Sequence, residues 1–501
     1  MSSESSSPES VARASACAEK PRKFFERGDW SLNLRSAHIL AALVLSVVAG
    51  VLVVWIPAAL VFGGLAAVLV TWVILARPYV GLVLYTCMFM LRPGEVYPIL
   101  SVLHVERIVG ILALIGMYVE QHRVAGRLHI DWTRQTRLLI VFIGAILISV
   151  PLAYWRSAAM DGLIDALKLL AWYLLVVHLV DTRRRLRVYL SLLLALTCYI
   201  AYDSYSAYLS GSFHYRMGIE RMVGQTNAGG DPNALAATMA ATIPLLLLLS
   251  FYRRLRWGRM ITAAGLVLIV VTMSLTGSRS GLLGFLAGMV FLWVQTRHRV
   301  LAGAAGVVLI GLGLLALPPQ YQNRYASIGS AELDGSSSTR LELWGKGLRM
   351  FADHPLVGVG IGCYAIANAM DYSPPSNPDF MVSHSLYIQV PSELGTFGVL
   401  AFAAFMIAVI RLNRRTARGL GAAGPDWDFE RIVLRGMLAG IFALFVTGIF
   451  GDNLMRYTWY LYAAVAAAIA RIYADRRVTP EVQGWSGQAI GARVGGGPSA
   501  A

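Results

Sequence analysis

Apolar runs of about 20 residues recur along this chain, the length a helix needs to cross the hydrocarbon core of a bilayer. VLVVWIPAALVFGGLAAVLVTWVIL at 51–75 is an example with no charge in it. Backbone groups cannot go unpaired in lipid, so runs of this length predict helices. About fourteen such runs are counted, near 37–55, 57–76, 78–92, 103–120, 137–155, 162–181, 187–208, 234–252, 260–276, 281–296, 300–317, 394–411, 432–450 and 457–473. The third and fourth are interrupted by Arg92-Pro93-Gly94-Glu95 and could form a re-entrant turn. The expected fold is therefore all-α, a polytopic transmembrane helix bundle of about 12–14 spans. Composition agrees: 57% of residues are hydrophobic and 14% charged, against about 45–50% and roughly 25% in soluble domains.

The formal charge of +15 would suggest nucleic acid in a soluble protein. Here its placement argues against that, because the basic residues sit in short loops between apolar runs, where they orient helices. Clusters occur at Arg123/Arg127/Arg134/Arg137, Arg183–Arg185, Arg253–Arg259, Arg297/Arg299, Arg411–Arg418 and Arg476-Arg477. The alternate loops hold the isolated Arg92, Arg156, Arg279 and Arg456. Both termini are expected to be cytoplasmic, with no cleaved leader. The expected organisation is a basic, disordered tail at 1–36, an N-terminal bundle at 37–208, a catalytic region at 209–411, terminal helices at 412–473 and a disordered tail at 474–501. Cys17, Cys87, Cys198 and Cys363 have neither CxxC nor Cys/His spacing, so no disulfide or zinc framework is expected.

Two outer segments are long, 209–233 and 318–391, the second lying before the last three spans. Loops of that length are usually functional. In the second, RLELWGKGLRMFADHP predicts a helix capped by Ser338 or Thr339 and ended before Pro355. Gly358, Gly360 and Gly362 predict a turn, and the whole loop is expected to fold back as a cap over the membrane.

Arg279 stands in LTGSRSGLLG, where two apolar runs meet. A guanidinium there either snorkels to headgroups or binds an anion beside serine hydroxyls and a helix N-terminus. Arg340 opens the loop helix, where a cation is unfavourable, so an outside partner or an acid such as Glu342 is expected. Arg216 and Arg221 lie in the first outer loop. His384 stands where the second loop meets the next span, as a structural histidine or as a general base.

His384-Ser385, nine residues, then Gly395-Thr396-Phe397-Gly398 resembles the His-(Asn/Ser/Gln)-x9-Gly-x-x-Gly signature of bacterial O-antigen ligases. Their superfamily also includes O-antigen polymerases and protein O-oligosaccharyltransferases. TGSRSG at 276–281, STRLELWGKGLRMFADHPLVGVGIG at 338–362 and GGDPNALA at 229–236 extend the resemblance in order over roughly 210–410. It implies a type C glycosyltransferase-like fold in the bacterial inner membrane, acting on the periplasmic face. It also implies a polyprenyl-diphosphate-linked glycan donor and a glycan, lipid or protein acceptor, with glycan-assembly proteins as further partners. Arg279 and Arg340 match arginines that bind the diphosphate, and His384 matches the proposed base. Arg216, Arg221, Asn233 and Glu393 are the substrate-binding candidates within the matched region. No metal site and no cofactor are expected, because arginines can do the work of a divalent cation. The first 200 residues match no family motif. A ligase is the leading reading, a repeat-unit polymerase the nearest alternative, and a transporter the alternative of another class. Transporters often show inverted repeats and helices broken near the midplane; no clear repeat is visible here, and the polar residues concentrate outside the membrane.

Overall fold

The computed structural model describes residues 57–127, 130–216, 218–224, 231–252, 256–296, 298–329 and 335–488. The run expected at 37–55 and the tail at 1–36 lie outside them. The chain divides into two units, Met1–Val70 and Thr71–Ala501. Of the first, the described part opens helix α1 (Ala58–Ala76). The second holds every other described element.

Its helices are α2 (Pro78–Leu91), α3 (Pro93–Val96), α4 (Pro98–Val102), α5 (Val105–Ala125), α6 (Arg134–Ser149), α7 (Arg156–Leu179) and α8 (Arg183–Leu209). A short antiparallel hairpin comes next, β1 (His214–Arg216) and β2 (Ile219–Arg221). Then come α9 (Pro232–Ser250), α10 (Arg256–Leu275), α11 (Arg279–Val294), α12 (Arg299–Leu315), α13 (Pro319–Ala326), α14 (Gly335–Asp353) and α15 (Tyr364–Met370). The last are α16 (Leu386–Ala422), α17 (Asp428–Thr447) and α18 (Tyr457–Gln488).

The protein is an all-α, multi-pass membrane helix bundle. Among the described residues six helical stretches are long and apolar enough to cross a bilayer, the ones at 156–179, 183–209, 232–250, 258–275, 386–422 and 425–450. Four more are apolar but shorter, at 60–76, 78–91, 279–294 and 299–315. The sequence runs count more spans because some form helices too short or too polar to cross alone, and the run at 37–55 lies outside the described residues. Helix α2, for example, has 14 residues and ends at Arg92 in a left-handed conformation. Outward faces carry large apolar side chains such as Val300, which is 88% exposed, as lipid contact requires. The final helix passes residue 473 and runs to Gln488.

The buried centre is α9, which packs on α10, α11 and α17. Small residues allow the approach: a Cβ at Gly440 would fall 2.3 Å from the Ala241 carbonyl oxygen. Close contact through small side chains is how helices associate in lipid, where apolar surface gains nothing from leaving water. Hydrogen bonds tie the loops into two ends. At one, Arg471 pairs with Asp131 at 3.3 Å and Arg183 with Glu430 at 2.7 Å. At the other, Tyr154 donates to Val359, Arg221 to Thr276 and Arg456 to Ala234. The first end holds Arg183 and Arg471.

The segment from 318 to 385 folds into α13, α14 and α15. The loop helix starts at Gly335, so Ser338 and Thr339 lie within its first turns and do not cap it. It ends at Asp353, two residues before Pro355, as expected. Gly358, Gly360 and Gly362 have φ of 67, 100 and 71°. This turn grips α16 where that helix breaks. Gly395 adopts φ 60° and ψ −161°, a region closed to residues with a Cβ. The backbone groups freed by the break are taken up by the turn: Val359 donates to Ser392, Gly360 to Glu393, and Thr396 back to Pro355. A broken helix is tolerated at membrane depth when neighbours satisfy its backbone in this way.

Candidate functional site

The site is assembled at the end that carries the hairpin and α13–α15. Asp231 caps α9 by accepting from the Asn233 and Ala234 amides, with Pro232 in the first turn, where its missing N–H costs nothing. This places Asn233 at the rim. Its Oδ1 accepts from Arg221 Nη2 at 2.9 Å and from Ser278 Oγ at 2.9 Å. Ser278 is the N-cap of α11, accepting from the Gly281 amide, so Arg279 stands at the first position of that helix. Its guanidinium donates to Ser327 Oγ at 3.3 Å.

Arg221 is buried, and its Nε donates to the Thr276 carbonyl at 2.8 Å. Burial, together with the charges of Arg324 and Arg216, pushes its pKa down to about 10. Arg324 is fixed by α13, whose Tyr325 donates to Ser274 at 2.8 Å and whose Tyr321 donates to Glu220. Arg324 Nε itself donates to the Gly277 carbonyl at 2.7 Å. Arg340 projects from α14 with its guanidinium 5.9 Å from the centre of the Phe450 ring. Glu342, which the sequence offered as its partner, pairs with Lys346 at 3.0 Å.

Arg216, Arg221, Arg279, Arg324 and Arg340 line one small cavity of about 30 Å³ together with Asn233 and Ser280. It adjoins a cavity of about 240 Å³ that shares Arg216, Arg221, Asn233 and Arg340 and adds His214, Thr339 and His384. Five guanidinia and two imidazoles thus surround one basin. Such a concentration of cationic donors is suited to an anion with several oxygens, and the planar fork of arginine matches phosphate geometry.

His384 has φ 50°, uncommon for a residue with a Cβ. Its amide donates to Asp452 Oδ2 at 3.1 Å, and its Nδ1 lies 3.8 Å from the same oxygen. Asp452 Oδ1 accepts from Ser383 Oγ at 2.6 Å. Burial raises the Asp452 carboxyl above the usual carboxylate range, opposed by Ser383 and His384. The segment bearing Asp452 is pinned by Arg456, which donates to the Ala234 carbonyl at 2.7 Å and to Thr238 Oγ1 at 2.9 Å.

With that geometry in view, residues 264–403 match the family model described as O-antigen ligase. Over that part the chain is similar to O-antigen ligases, which supports a place in the O-antigen ligase and polymerase superfamily. It is a membrane enzyme of ligase or polymerase type in the broad sense. No curated protein matches it. The matched span contains Arg279, Arg324, Arg340 and His384 of the basin, whereas Arg216, Arg221 and Asn233 precede it.

Six of the seven sequence candidates converge: Arg216, Arg221, Asn233, Arg279, Arg340 and His384. Glu393 does not join them. Its buried carboxylate lies on the broken helix, where it accepts from Gln389 at 3.3 Å and from the backbone amides of Gly362 and Tyr364. These contacts tie it to the glycine turn. Sequence reasoning does not single out Arg324 or Asp452. Arg324 follows Pro318-Pro319 at a span boundary as Arg279 does, and Asp452 is the acid in the short outer loop FGDN at 450–453. Of the outer-loop acids, Glu332 and Asp334 lie outside the described residues.

Proposed function

We propose that the protein transfers a glycan from a polyprenyl-diphosphate carrier to an acceptor hydroxyl, on the periplasmic face of a bacterial inner membrane. The observation that carries this reading is the convergence of five arginines on one basin beside His384. The donor is already activated, because diphosphate leaves readily once its growing charge is neutralised. Preorganised guanidinia, together with the N-terminus of α11, supply that neutralisation where the charge develops. His384 takes the proton of the acceptor hydroxyl as its oxygen bonds to the anomeric carbon and the carbon–phosphate oxygen bond breaks. Asp452 orients the imidazole and stabilises its protonated form. Basic loops at the opposite end support placing the basin outside the cytoplasm.

The glycan profile of a deletion strain tests this. Loss of all long chains from an intact acceptor fits a ligase, and an acceptor carrying one repeat unit fits a polymerase. An unchanged profile of every surface and exported glycan would overturn the proposal.

A further inference from the structure

A second and larger cavity, of about 350 Å³, lies between α2, α5 and α7 beneath the short helices α3 and α4. Its character is opposite to that of the arginine basin. Arg92, Arg107 and Lys168 line it together with Glu95, Glu106 and Asp165, so the lining cations and acids balance. Lys168 Nζ lies 3.0 Å from Asp165 and 3.9 Å from Glu106, and Arg92 lies 3.0 Å from Glu95. Asp165 and Lys168 sit roughly 14–18 Å along α7 from its start at Arg156. Charges at that depth in a span are expensive and mark sites that handle polar cargo.

Two further observations point the same way. The described non-glycine residues with positive φ are Arg92, His104 and His384. One is the candidate base, and the other two both line this cavity. Strained residues of this kind concentrate at functional sites. The cavity is also lined by Met455, three residues from Asp452, so one short segment borders both places. Outside, α3 and α4 turn Val96, Tyr97, Ile99 and Val102 outward, each more than half exposed. Apolar side chains there suit the lipid boundary.

We infer that this cavity holds the saccharide head of a lipid-anchored acceptor, which reaches it laterally from the membrane beside α3 and α4. A charge-balanced set of carboxylates and cations donates to and accepts from hydroxyls without favouring an anion, which separates it from the diphosphate basin. Its role as acceptor subsite rests on the transfer reading; saccharide binding there does not.

The test places a photoreactive side chain at the lining position, Leu100→p-benzoylphenylalanine, in the full chain in its native membranes. After irradiation, adducts are identified by mass spectrometry and normalised to protein that elutes as a single folded peak. A hexose-bearing lipid should be captured. Asp165→Asn and Glu106→Gln, each removing one charge, should lower its yield roughly tenfold, whereas Arg340→Ala should stop glycan transfer and leave the adduct unchanged. Capture of phospholipid alone, or no adduct, would overturn the inference. So would a saccharide adduct lost in Arg340→Ala, because the ligand would then belong to the diphosphate basin. If the adduct forms as expected in a protein that transfers no glycan, the transfer reading fails and the binding site stands.

Discussion

The His384 amide and the His384 imidazole both address one carboxylate oxygen, Oδ2 of Asp452, at 3.1 and 3.8 Å. A backbone hydrogen bond at this point fixes the left-handed turn of His384, and the same acid then faces the ring. Asp452 therefore acts as a positioning residue. Asp452→Asn should lower turnover by a large part of the roughly 10²–10⁴-fold that a placed base contributes, with donor binding unchanged. Because burial raises the Asp452 carboxyl, it takes up a proton at higher pH than an exposed carboxylate. Protonation of Asp452 therefore adds to the fall in turnover on the acid side, and the acid limb of Asp452→Asn should be shallower than that of wild type. An identical profile in the two proteins would remove Asp452 from the mechanism.

Arg279 and Arg340 approach the basin from different elements, α11 and α14. A charge-assisted hydrogen bond is worth roughly 1.5–3 kcal/mol, so each alanine variant should bind donor about 10–150-fold more weakly. Lysine should restore little, because it lacks the planar fork. Donor binding by purified protein measures this, and wild-type affinity in either alanine variant would take that residue out of the site.

Arg221 offers a pH test of the opposite sign. Its pKa is pushed down to about 10 by burial and by neighbouring arginines, so it is cationic at neutral pH and loses its proton as pH rises through that value. Binding of inorganic pyrophosphate should weaken over this interval, below the range in which ordinary guanidinia titrate. Calorimetric titrations from about pH 8 to about pH 11 would read it. Affinity that stays flat across that interval would mean that Arg221 does not face the anion.

Gly395 tests the fold rather than the chemistry. At φ 60° its missing Cβ would lie 2.4 Å from the Leu356 carbonyl carbon and oxygen. Gly395→Ala should therefore cost several kcal/mol, on the order of 3 or more, from strain and overlap combined. Thermal unfolding in detergent should show a clearly lower midpoint, and an unchanged one would mean that the break in α16 is not needed.

The helices are legible in the sequence because lipid imposes a length and a composition that local sequence must satisfy. The arginines are legible because a charge between two apolar runs is costly and needs a reason. What escapes depends on contacts distant in the chain. Asp452 meets His384 across 68 residues, and Arg324 reaches Gly277 across 47. Nothing near either residue announces the partner. Glu393 stands apart from the basin for the converse reason: it lies beside motif residues, yet its carboxyl meets the amides of the glycine turn. The start of α14 differs from expectation because Gly335 begins that helix before the residues that would ordinarily cap it.

The central claim is that His384 moves a proton while the arginines hold the diphosphate. It is tested most directly by measuring donor binding and turnover on the same preparation of His384→Ala. The account predicts donor affinity within a few-fold of wild type and turnover lower by about 10²–10⁴-fold. Binding that collapses together with turnover would contradict it, because His384 would then belong to the donor site and the base would have to lie elsewhere.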